Sequence, residues 1–413
     1  MSADTLILVL AIDRGIGLDP LTLHRTKAAV PFGGKYRVID FTLANCLHSG
    51  LRQVLVLTQY KSHSLHKHLR DGWSLFNPEL SEFITPVPPQ MRESQEWYAG
   101  PFDAIRQNRY LIERNRASHV LVLDGNAVYR MDYAELVRAH RESNAQITVA
   151  VRETSGLDTG TQARVTVNQE ERITKFQSPI TIEELQDTDN DNYFSTMGVY
   201  LFDKQFLLSQ LAKIERGMLP DNNLALDLVA PFTSEHRIHA YRFGQMRGRV
   251  TPDRYWTDLS SIDAYYQSNM ALLRAEPPLN LYQPNWTINT YQGQYPPART
   301  VPGAASGNEG VFINSMLAAG TVISGGGVNH SILFPRVKVQ DGAIVEASIL
   351  FDGVIVGMGA HLRNCIIEKE TEIPPNEQIG FDAKRDRERF TVSDSGIVVV
   401  TKKDLLAGIS DEQ

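Results

Sequence analysis

A cluster of cations follows the first apolar run of the chain. The segment from Pro20 to Asp40 reads PLTLHRTKAAVPFGGKYRVID, and its glycine pair is surrounded by four basic residues: Arg25, Lys27, Lys35 and Arg37. Basic side chains and the N–H groups of a glycine turn bind phosphate oxygens through charge and hydrogen bonds. The residues alone are consistent with a phosphate site and, equally, with a solvated basic loop.

The elements that must position this loop alternate between strands and helices. Helical patterns at Asp103–Glu113 and Tyr133–Glu142 lie between apolar runs that predict four buried strands: Thr5–Ala11, Gln53–Leu57, His119–Leu123 and Gln146–Val151. Such alternation is typical of a mostly parallel sheet, in which ligands bind at the carboxyl ends of the strands. The loops after Val9 and Leu123 are therefore where chemistry is expected.

A second pattern begins after the proline-rich stretch Pro277–Pro297. From about Val301 to Pro374 apolar residues recur six positions apart: Val322 and Val328; Val339, Val345 and Phe351; Val356 and Leu362; Ile367 and Ile373. A six-residue repeat indicates a parallel β-helix, and an ordinary β-sandwich with chance spacing is the alternative. We expect a first domain at 1–275, a proline-rich linker at 276–303 and a β-helix with a basic tail at 304–413.

The composition excludes several classes of protein. The chain has 413 residues, 42% of them hydrophobic and 22% charged, which is ordinary for a folded chain of two or three domains. No stretch approaches the ~18–20 apolar residues that span a bilayer, and the widely separated Cys46 and Cys365 argue against a disulfide scaffold. We therefore expect a cytoplasmic protein. The net charge of −7 argues against nucleic-acid binding.

The basic segment and a series of further motifs resemble the bacterial ADP-glucose pyrophosphorylases (glucose-1-phosphate adenylyltransferases). These motifs are NCLHSG (45–50), LTQYKSHSLHKHL (57–69), GWSLF (72–76), EWYAG (96–100), YRMDY (129–133), TMGVYLFD (196–203) and YWTDLSSIDAYY (255–266). The resemblance implies a Rossmann-like (GT-A-type) nucleotidyltransferase domain, a left-handed β-helix and a tetramer. Active members make ADP-glucose and pyrophosphate from ATP and glucose 1-phosphate for glycogen or starch synthesis, and Mg²⁺ assists them.

The chain departs from the family in the loop that binds the triphosphate. Active members carry a Gly-Gly-Arg-Gly-Thr-Arg-Leu-like loop, whereas this chain reads IDRGIGL at 12–18. Ile12 and Asp13 replace two glycines, and Gly17 replaces the triphosphate-binding arginine. Asp13 adds negative charge where a polyphosphate would lie, so we expect weaker binding of the triphosphate.

Other departures affect the metal and the sugar phosphate. Asn126 stands where active members hold the metal with an aspartate, and Asp124 is expected to point away from it and to be a poor substitute. The family's Glu-Lys-Pro motif is replaced by Gln177-Ser178-Pro179, and Gln162-Ala163 replaces a Phe-Gly. Pro101-Phe102 replaces Thr-Ala, and Phe102 is expected to be bulky for a site wall.

Several family positions are retained. Lys27 is a catalytic candidate, and Asp258 is a candidate for the second metal-site carboxylate or for the cap of the helix that follows it. The resemblance assigns substrate binding to Gln59, Trp97, Tyr98, Gly100 and Thr196. Trp97 and Tyr98 are equally consistent with core packing. The metal ligands would be Asp258 and, weakly, Asn126; if the chain is inactive, no cofactor is expected.

Effector binding is expected between the two domains. Family members hold activator and inhibitor anions there with lysine and arginine, and the matching residues are His24, Arg25, Arg37, Arg385, Arg387 and Arg389. Arginine donates bidentately to phosphate. We expect phosphorylated sugars, AMP or phosphate as ligands at this site, although a solvated basic surface explains each tail arginine equally well.

Three functions are consistent with this pattern. The first is a catalytically impaired regulatory subunit that binds phosphorylated effectors and assembles with an active paralogue in a homo- or heterotetramer. The second is an active glucose-1-phosphate adenylyltransferase with a rearranged site. The third is a stand-alone sensor of a sugar phosphate or nucleotide. Because the departures fall on one reaction centre, we expect the first.

Overall fold

In the computed structural model, the described residues are 4–92, 96–154, 162–179, 193–213, 223–245, 249 and 253–405. The strands of the first domain are β1 Thr5–Ala11, β2 Pro31–Phe32, β3 Tyr36–Arg37, β4 Gln53–Thr58, β5 Phe83–Val87, β6 His119–Asp124, β7 Val128–Tyr129, β8 Ile147–Thr154, β9 Arg164–Val167, β10 Ile173–Gln177, β11 Tyr193–Asp203, β12 Ile238–Arg242 and β13 Trp256–Thr257. Its helices are α1 Val38–His48, α2 His63–Gly72, α3 Pro101–Gln107, α4 Arg109–Arg114, α5 Tyr133–Ser143, α6 Lys204–Leu211 and α7 Ile262–Met270.

The central sheet of this domain is mixed. Its main order is β10-β9-β11-β6-β1-β4-β5, with β8 beside β11 and β12 beside β8. The predicted parallel arrangement holds for β6, β1, β4 and β5, which crossover helices connect. It does not hold for β11, which runs antiparallel to β6, β8 and β9. The hydrophobic strand β1 is buried along its whole length, as its continuous apolar sequence predicts.

The second domain is a left-handed parallel β-helix. Its strands are β14 Arg299–Val301, β15 Val311–Ile313, β16 Met316–Leu317, β17 Val322–Ser324, β18 Gly327–Asn329, β19 Ile332–Leu333, β20 Lys338–Val339, β21 Ile344–Glu346, β22 Ile349–Leu350, β23 Ile355–Val356, β24 His361–Arg363, β25 Cys365–Ile367, β26 Glu372–Ile373, β27 Gln378–Ile379, β28 Thr391–Val392 and β29 Val398–Val400. One helix, α8 Ala383–Arg389, precedes the last two strands. Three sheets form the sides of the helix, and residues one coil apart stack, as in the column Val328, Val345, Leu362 and Ile379.

The segment predicted to be a linker packs against the first domain. Leu279 and Trp286 are buried, and the Trp286 indole donates to Asn45 Oδ1 at 3.0 Å. The β-helix begins at Arg299, inside that predicted segment, because β14 pairs with β17.

The two domains share one hydrophobic core. Tyr265 of α7 packs against Phe351 of the β-helix with ring centroids 6.5 Å apart, and both side chains are buried. Tyr266 adds a hydrogen bond from its hydroxyl to the Ala347 carbonyl at 2.5 Å. The β-helix is therefore docked firmly against the domain that carries the candidate site.

Candidate active site

A cleft of about 500 Å³ opens at the carboxyl ends of the parallel strands. The residues after β1, Ile12 and Asp13, form one side, and Gln59, which follows β4, forms another. Asp124 at the end of β6 and Asn126 two residues later line its floor. The position of the cleft confirms the expectation drawn from the alternating strands and helices.

The loop after β1 satisfies its own hydrogen-bonding groups. The backbone N–H of Gly15 donates to Asp13 Oδ1 at 2.9 Å. Arg14 donates to Asp19 Oδ2 at 2.7 Å and lies over the Tyr60 ring. A backbone N–H that would be free to bind a phosphate is thus held by a carboxylate of the same loop.

Gly17 is enclosed by the backbone of another segment. A Cβ atom added at this position would lie 2.0 Å from the Ser260 carbonyl oxygen, which is far inside van der Waals contact. No side chain fits there unless the backbone moves. The arginine that the resemblance predicts at this position would therefore have no room in the structure.

Lys27 lies beneath this loop. Its side chain is buried, and the backbone N–H donates to the Asp13 carbonyl at 3.4 Å. The neighbouring Thr26 hydroxyl donates to the same carbonyl at 2.8 Å. Lys27 is close enough to Asp124 for its positive charge to lower the pKa of that carboxyl. The retained lysine thus lies near Asp124, which lines the cleft.

Asp124 and Asn126 are in direct contact, which corrects the expectation that Asp124 points away. Asp124 Oδ1 accepts hydrogen bonds from the Asn126 backbone N–H at 3.0 Å and from its Nδ2 at 2.8 Å. The reason is that β6 ends at Asp124, and the chain then turns through Gly125. The sequence rule of alternating side chains applies only within the strand.

The surroundings of Asp124 disfavour its ionised form. Burial raises its pKa from 3.8 to about 6, and the negative charges of Asp13 and Asp258 contribute to this rise. Lys27 and the Asn126 N–H act in the opposite direction. The charges of Asp13, Asp258 and Lys27 therefore all act on Asp124, and Asp13 and Asp124 make the lining of the cleft acidic for a polyphosphate.

Asp258 is buried at the same end of the domain. The cap of α7 is Ser261, whose hydroxyl oxygen accepts from the Ala264 N–H at 3.1 Å, so Asp258 is not needed as the helix cap. Within the described ranges, no group of three or more His, Cys, Asp or Glu side chains surrounds a common point.

The opposite wall keeps the retained residues in place. Gln59 and Tyr98 are joined by two hydrogen bonds: Tyr98 N–H donates to Gln59 Oε1 at 2.7 Å, and Gln59 Nε2 donates to the Tyr98 carbonyl at 3.2 Å. The Tyr98 ring is buried, whereas Trp97 is 57% exposed at the cleft. Tyr98 therefore belongs to the core as well as to the wall, and Trp97 is available to a ligand.

The next residues of this wall are part helix and part core. Gly100 lines the cleft and precedes α3, whose residue Ala104 donates its N–H to the Gly100 carbonyl. Phe102 is buried and packs in the core, which corrects the expectation that it obstructs the site; Pro101 lines the cleft instead. Phe102 is the second residue of α3, and its side chain lies on the face of this helix that packs against the core.

Thr196 and the residues of the sugar-phosphate side lie further along the cleft. Thr196 is buried, and its hydroxyl donates to Gln162 Oε1 at 3.2 Å. Gln162 itself lines the cleft. Ser178 stands where the family motif has its lysine, and its carbonyl accepts from Arg164 Nε at 3.1 Å.

The predicted effector residues fall into two separate groups. Arg25 and Arg37 are close together, since the positive charge of Arg25 contributes to lowering the pKa of Arg37, which burial brings down to about 10. Arg25 is buried and donates to both oxygens of Glu368 in the β-helix domain, at 3.0 and 2.7 Å. His24 beside it is exposed. Sequence reasoning missed Glu368, because 343 residues separate it from Arg25.

The tail arginines lie on or beside α8. Arg385 and Arg389 both donate to Glu377 Oε1, at 3.2 and 2.9 Å, and Arg387 is exposed. These arginines were predicted to converge with Arg25 on one anion. In the described contacts they do not, because Arg25 pairs with Glu368 whereas Arg385 and Arg389 pair with Glu377. Effector binding by either group stays a prediction.

Comparison with known proteins identifies the family. A family model described as nucleotidyl transferase matches residues 7–275, and one described as GlmU-like C-terminal hexapeptide matches residues 296–400. The chain is 48% identical over 400 residues to glucose-1-phosphate adenylyltransferase 2 of Vibrio cholerae, covering 96% of this chain and 97% of the relative. The chain belongs to the glucose-1-phosphate adenylyltransferase family.

More distant members of the adenylyltransferase family match over similar lengths. The glucose-1-phosphate adenylyltransferase of Methylococcus capsulatus is 38% identical, with 97% of this chain and 94% of the relative covered. That of Rhodopirellula baltica is also 38% identical, with 98% and 92% covered. The two family models, over 7–275 and 296–400, agree with the two domains of the structure. Among the helices of the described residues, none is long and apolar enough to cross a membrane.

Proposed function

We propose that this chain is a catalytically impaired member of the adenylyltransferase family that acts as a regulatory subunit in α-glucan synthesis. One observation carries the proposal: the loop that would bind the triphosphate is bonded to itself. Asp13 occupies the Gly15 N–H, and Ser260 closes the space beside Gly17. The protein's task in this reaction is positioning and charge neutralisation, and both are impaired in this loop.

The size of the impairment follows from electrostatics. Loss of one group that stabilises transition-state charge costs roughly 10²–10³ in rate. Gly17 and Asn126 each replace such a group, and residues that act as a unit do not contribute additively. Little or no synthesis of ADP-glucose by this chain alone is the expected result.

A regulatory role requires a partner and a ligand. Assembly with an active relative in a tetramer of the family type is expected because this chain matches such relatives over nearly its whole length. Arg25 and Arg37, which lie close together near the domain junction, support binding of a phosphorylated sugar, AMP or phosphate. Such an anion would compete with Glu368 for Arg25.

An active enzyme is the second candidate, and two observations favour it. The relatives are named as the enzyme, and Asp124 lines the cleft with the charges of Lys27 and Asp258 close enough to act on it. With Mg²⁺ to offset the acidic floor, this arrangement could still bind ATP and glucose 1-phosphate.

The deciding experiment mixes this chain with an active family member. ADP-glucose synthesis is measured for the active enzyme alone and with increasing amounts of this chain, each with and without phosphorylated sugars, AMP and phosphate. Native mass spectrometry of the mixture reports assembly. We expect mixed tetramers and an altered effector response, which Arg37→Ala weakens and Arg299→Ala, at an exposed position of β14, leaves unchanged.

The contrary outcomes are distinct. If the two chains do not assemble and the effector response of the active enzyme is unchanged, the regulatory proposal is wrong. If this chain alone turns over like its active relative, the second candidate replaces the first.

A further inference from the structure

The lining of the cleft is poor in positive charge. Among the described residues that line it, Arg14 is the one lysine or arginine, and its guanidinium is already in an ion pair with Asp19 at 2.7 Å. Two carboxylates, Asp13 and Asp124, line the same space, whereas Lys27 is buried beneath the loop. An ionised phosphate needs cations or free N–H groups, and the glycine N–H of this loop is bonded to Asp13. The lining is therefore a poor partner for a phosphorylated ligand.

The polar atoms that the floor of the cleft leaves unused are hydrogen-bond acceptors. Asp124 accepts both hydrogen bonds from Asn126 on its Oδ1, at 3.0 and 2.8 Å, and neither involves its Oδ2. Asn126 is only 6% exposed, and its Oδ1 has no hydrogen-bond partner among the described residues. A buried acceptor without a donor is costly. A ligand that brings hydroxyl donors therefore suits this floor better than an ionised phosphate, which brings acceptors only.

An exposed aromatic side chain stands on the opposite wall. Trp97 is 57% exposed and lines the cleft, whereas the ring of the neighbouring Tyr60 is covered by Arg14 and Lys61, which lie 5.5 and 5.4 Å from its centroid. An indole is apolar on its face, so it can pack against the C–H groups of a pyranose ring while the hydroxyl groups of that ring reach polar atoms elsewhere in the cleft.

The same wall offers little to the edge of a nucleotide base. Both polar atoms of the Gln59 amide are bonded to the backbone of Tyr98, at 3.2 and 2.7 Å. This amide therefore holds the wall together instead of reading the hydrogen-bonding groups of a base. An aromatic face and unused acceptors remain, and a saccharide matches both of them.

We infer that the cleft binds an uncharged saccharide of one or two hexose rings, with a ring packed on Trp97 and hydroxyl groups donating to Asn126 Oδ1 and Asp124. The cleft volume of about 500 Å³ lies within the range of small-molecule sites. Such a ligand differs from the phosphorylated substrates of the family, and its site is separate from the arginines at the domain junction. The inference goes beyond the regulatory role and does not depend on it.

The experiment measures binding of glucose, maltose, glucose 1-phosphate and adenosine to the full chain by calorimetry. Glucose and maltose should bind with an affinity that high salt does not change, because neither carries charge. The phosphate of glucose 1-phosphate should weaken binding at this site at least tenfold. Trp97→Ala should weaken binding of both sugars at least tenfold, whereas Trp97→Phe, which keeps an aromatic face, should retain part of the affinity.

Two further variants separate the cleft from the rest of the surface. Asn126→Ala deletes the unused acceptor and should weaken sugar binding severalfold. Tyr282→Ala removes an aromatic side chain that is 81% exposed and lies outside the lining of the cleft, so it should leave sugar binding unchanged. Circular dichroism and thermal unfolding confirm that each variant is folded.

The results that would overturn the inference are specific to Trp97. The saccharide site is wrong if neither sugar binds at high millimolar concentration, or if Trp97→Ala leaves their binding unchanged. It is also wrong if glucose 1-phosphate or adenosine binds more tightly than glucose and loses that affinity in Trp97→Ala. Binding of glucose 1-phosphate elsewhere, at the arginines, does not change in this variant. Neither turnover nor assembly is measured, so the outcome is distinct from that of the regulatory proposal.

Discussion

The two sides of the cleft differ in what has been kept. On one side Gln59 and Tyr98 are joined by two hydrogen bonds, and Gly100 and Thr196 are residues that the resemblance assigns to substrate binding. On the other side the loop at 12–18 carries Asp13 and Gly17, at positions where the resemblance to active members predicts a glycine and a cation. The shape of the pocket is maintained by backbone and core contacts, whereas catalysis requires charges at particular positions. A chain can therefore keep a binding cleft after the charges for the reaction have changed.

The largest expected effect is a loss of stability on the side of the cleft formed by Gln59 and Tyr98. Tyr98→Ala removes a buried aromatic ring, whose hydroxyl also accepts from Asn108 Nδ2 at 2.9 Å. A substitution of this kind costs about 3–5 kcal/mol in the free energy of unfolding. The matched control is Trp97→Ala, because Trp97 is exposed, and it should change stability by less than about 0.5 kcal/mol. Denaturant unfolding measures both; equal losses would mean that Tyr98 is not a core residue.

A second variant tests whether the loop can be restored. Gly17→Arg returns the family's arginine, but its Cβ meets the Ser260 carbonyl at 2.0 Å. We expect a loss of about 1–3 kcal/mol, as for other overpacked sites, and no gain in turnover. Ile16→Arg places the same cation at a neighbouring exposed position and should be nearly neutral. A stable Gly17→Arg protein with increased turnover would show that the loop is not closed.

The free energy of unfolding is expected to depend on pH through Asp124. Its pKa is about 6 in the folded chain, whereas an unperturbed aspartate has a pKa of 3.8, so the unfolded chain releases the proton first as pH rises. The free energy of unfolding therefore falls between about pH 4 and pH 6. Asp124→Asn removes this loss and should be more stable than the parent by about 1–2 kcal/mol at pH 7.5, with little difference at pH 4.

The measurement is denaturant unfolding at both pH values in the presence of a chelator. Asp394→Asn, at an exposed position, is the control and should differ from the parent equally at the two pH values. A stabilisation by Asp124→Asn that does not depend on pH would contradict the assigned burial of this carboxylate.

The smallest effect concerns the loop carboxylate. Asp13→Gly removes the acceptor that holds the Gly15 N–H at 2.9 Å and deletes one negative charge from the cleft. Calorimetry with Mg²⁺ and ATP should show affinity increased severalfold, since one hydrogen bond to a charged group is worth about 1.5–3 kcal/mol before the cost of opening the loop. Asp71→Asn, an exposed change on α2, should have no effect. Unchanged ATP affinity in Asp13→Gly would show that Asp13 does not weaken ATP binding.

Patterns that depend on near neighbours were predictable from the sequence. The apolar run at Thr5–Ala11 is a strand, and the six-residue spacing of Val339, Val345 and Phe351 marks three buried residues of the β-helix: Val339 and Val345 lie in its interior, and Phe351 lies in the core shared with the first domain. Both predictions follow from periodicity, which each segment carries by itself.

Contacts that depend on where an element ends, or on a distant segment, were not predictable. Asp124 meets Asn126 because β6 ends there, and Phe102 turns into the core because α3 begins at Pro101. Arg25 finds Glu368 only when the β-helix docks on the first domain. No local pattern encodes these three contacts.

The most direct test is the turnover of the purified chain alone in ADP-glucose synthesis, at saturating ATP, glucose 1-phosphate and Mg²⁺, beside an intact family member. We expect a rate at least about 10²-fold below that of the intact enzyme, and no full recovery in Asn126→Asp, because Gly17 and Asp13 remain. A turnover in the common enzyme range of ~1–10³ s⁻¹ would contradict it.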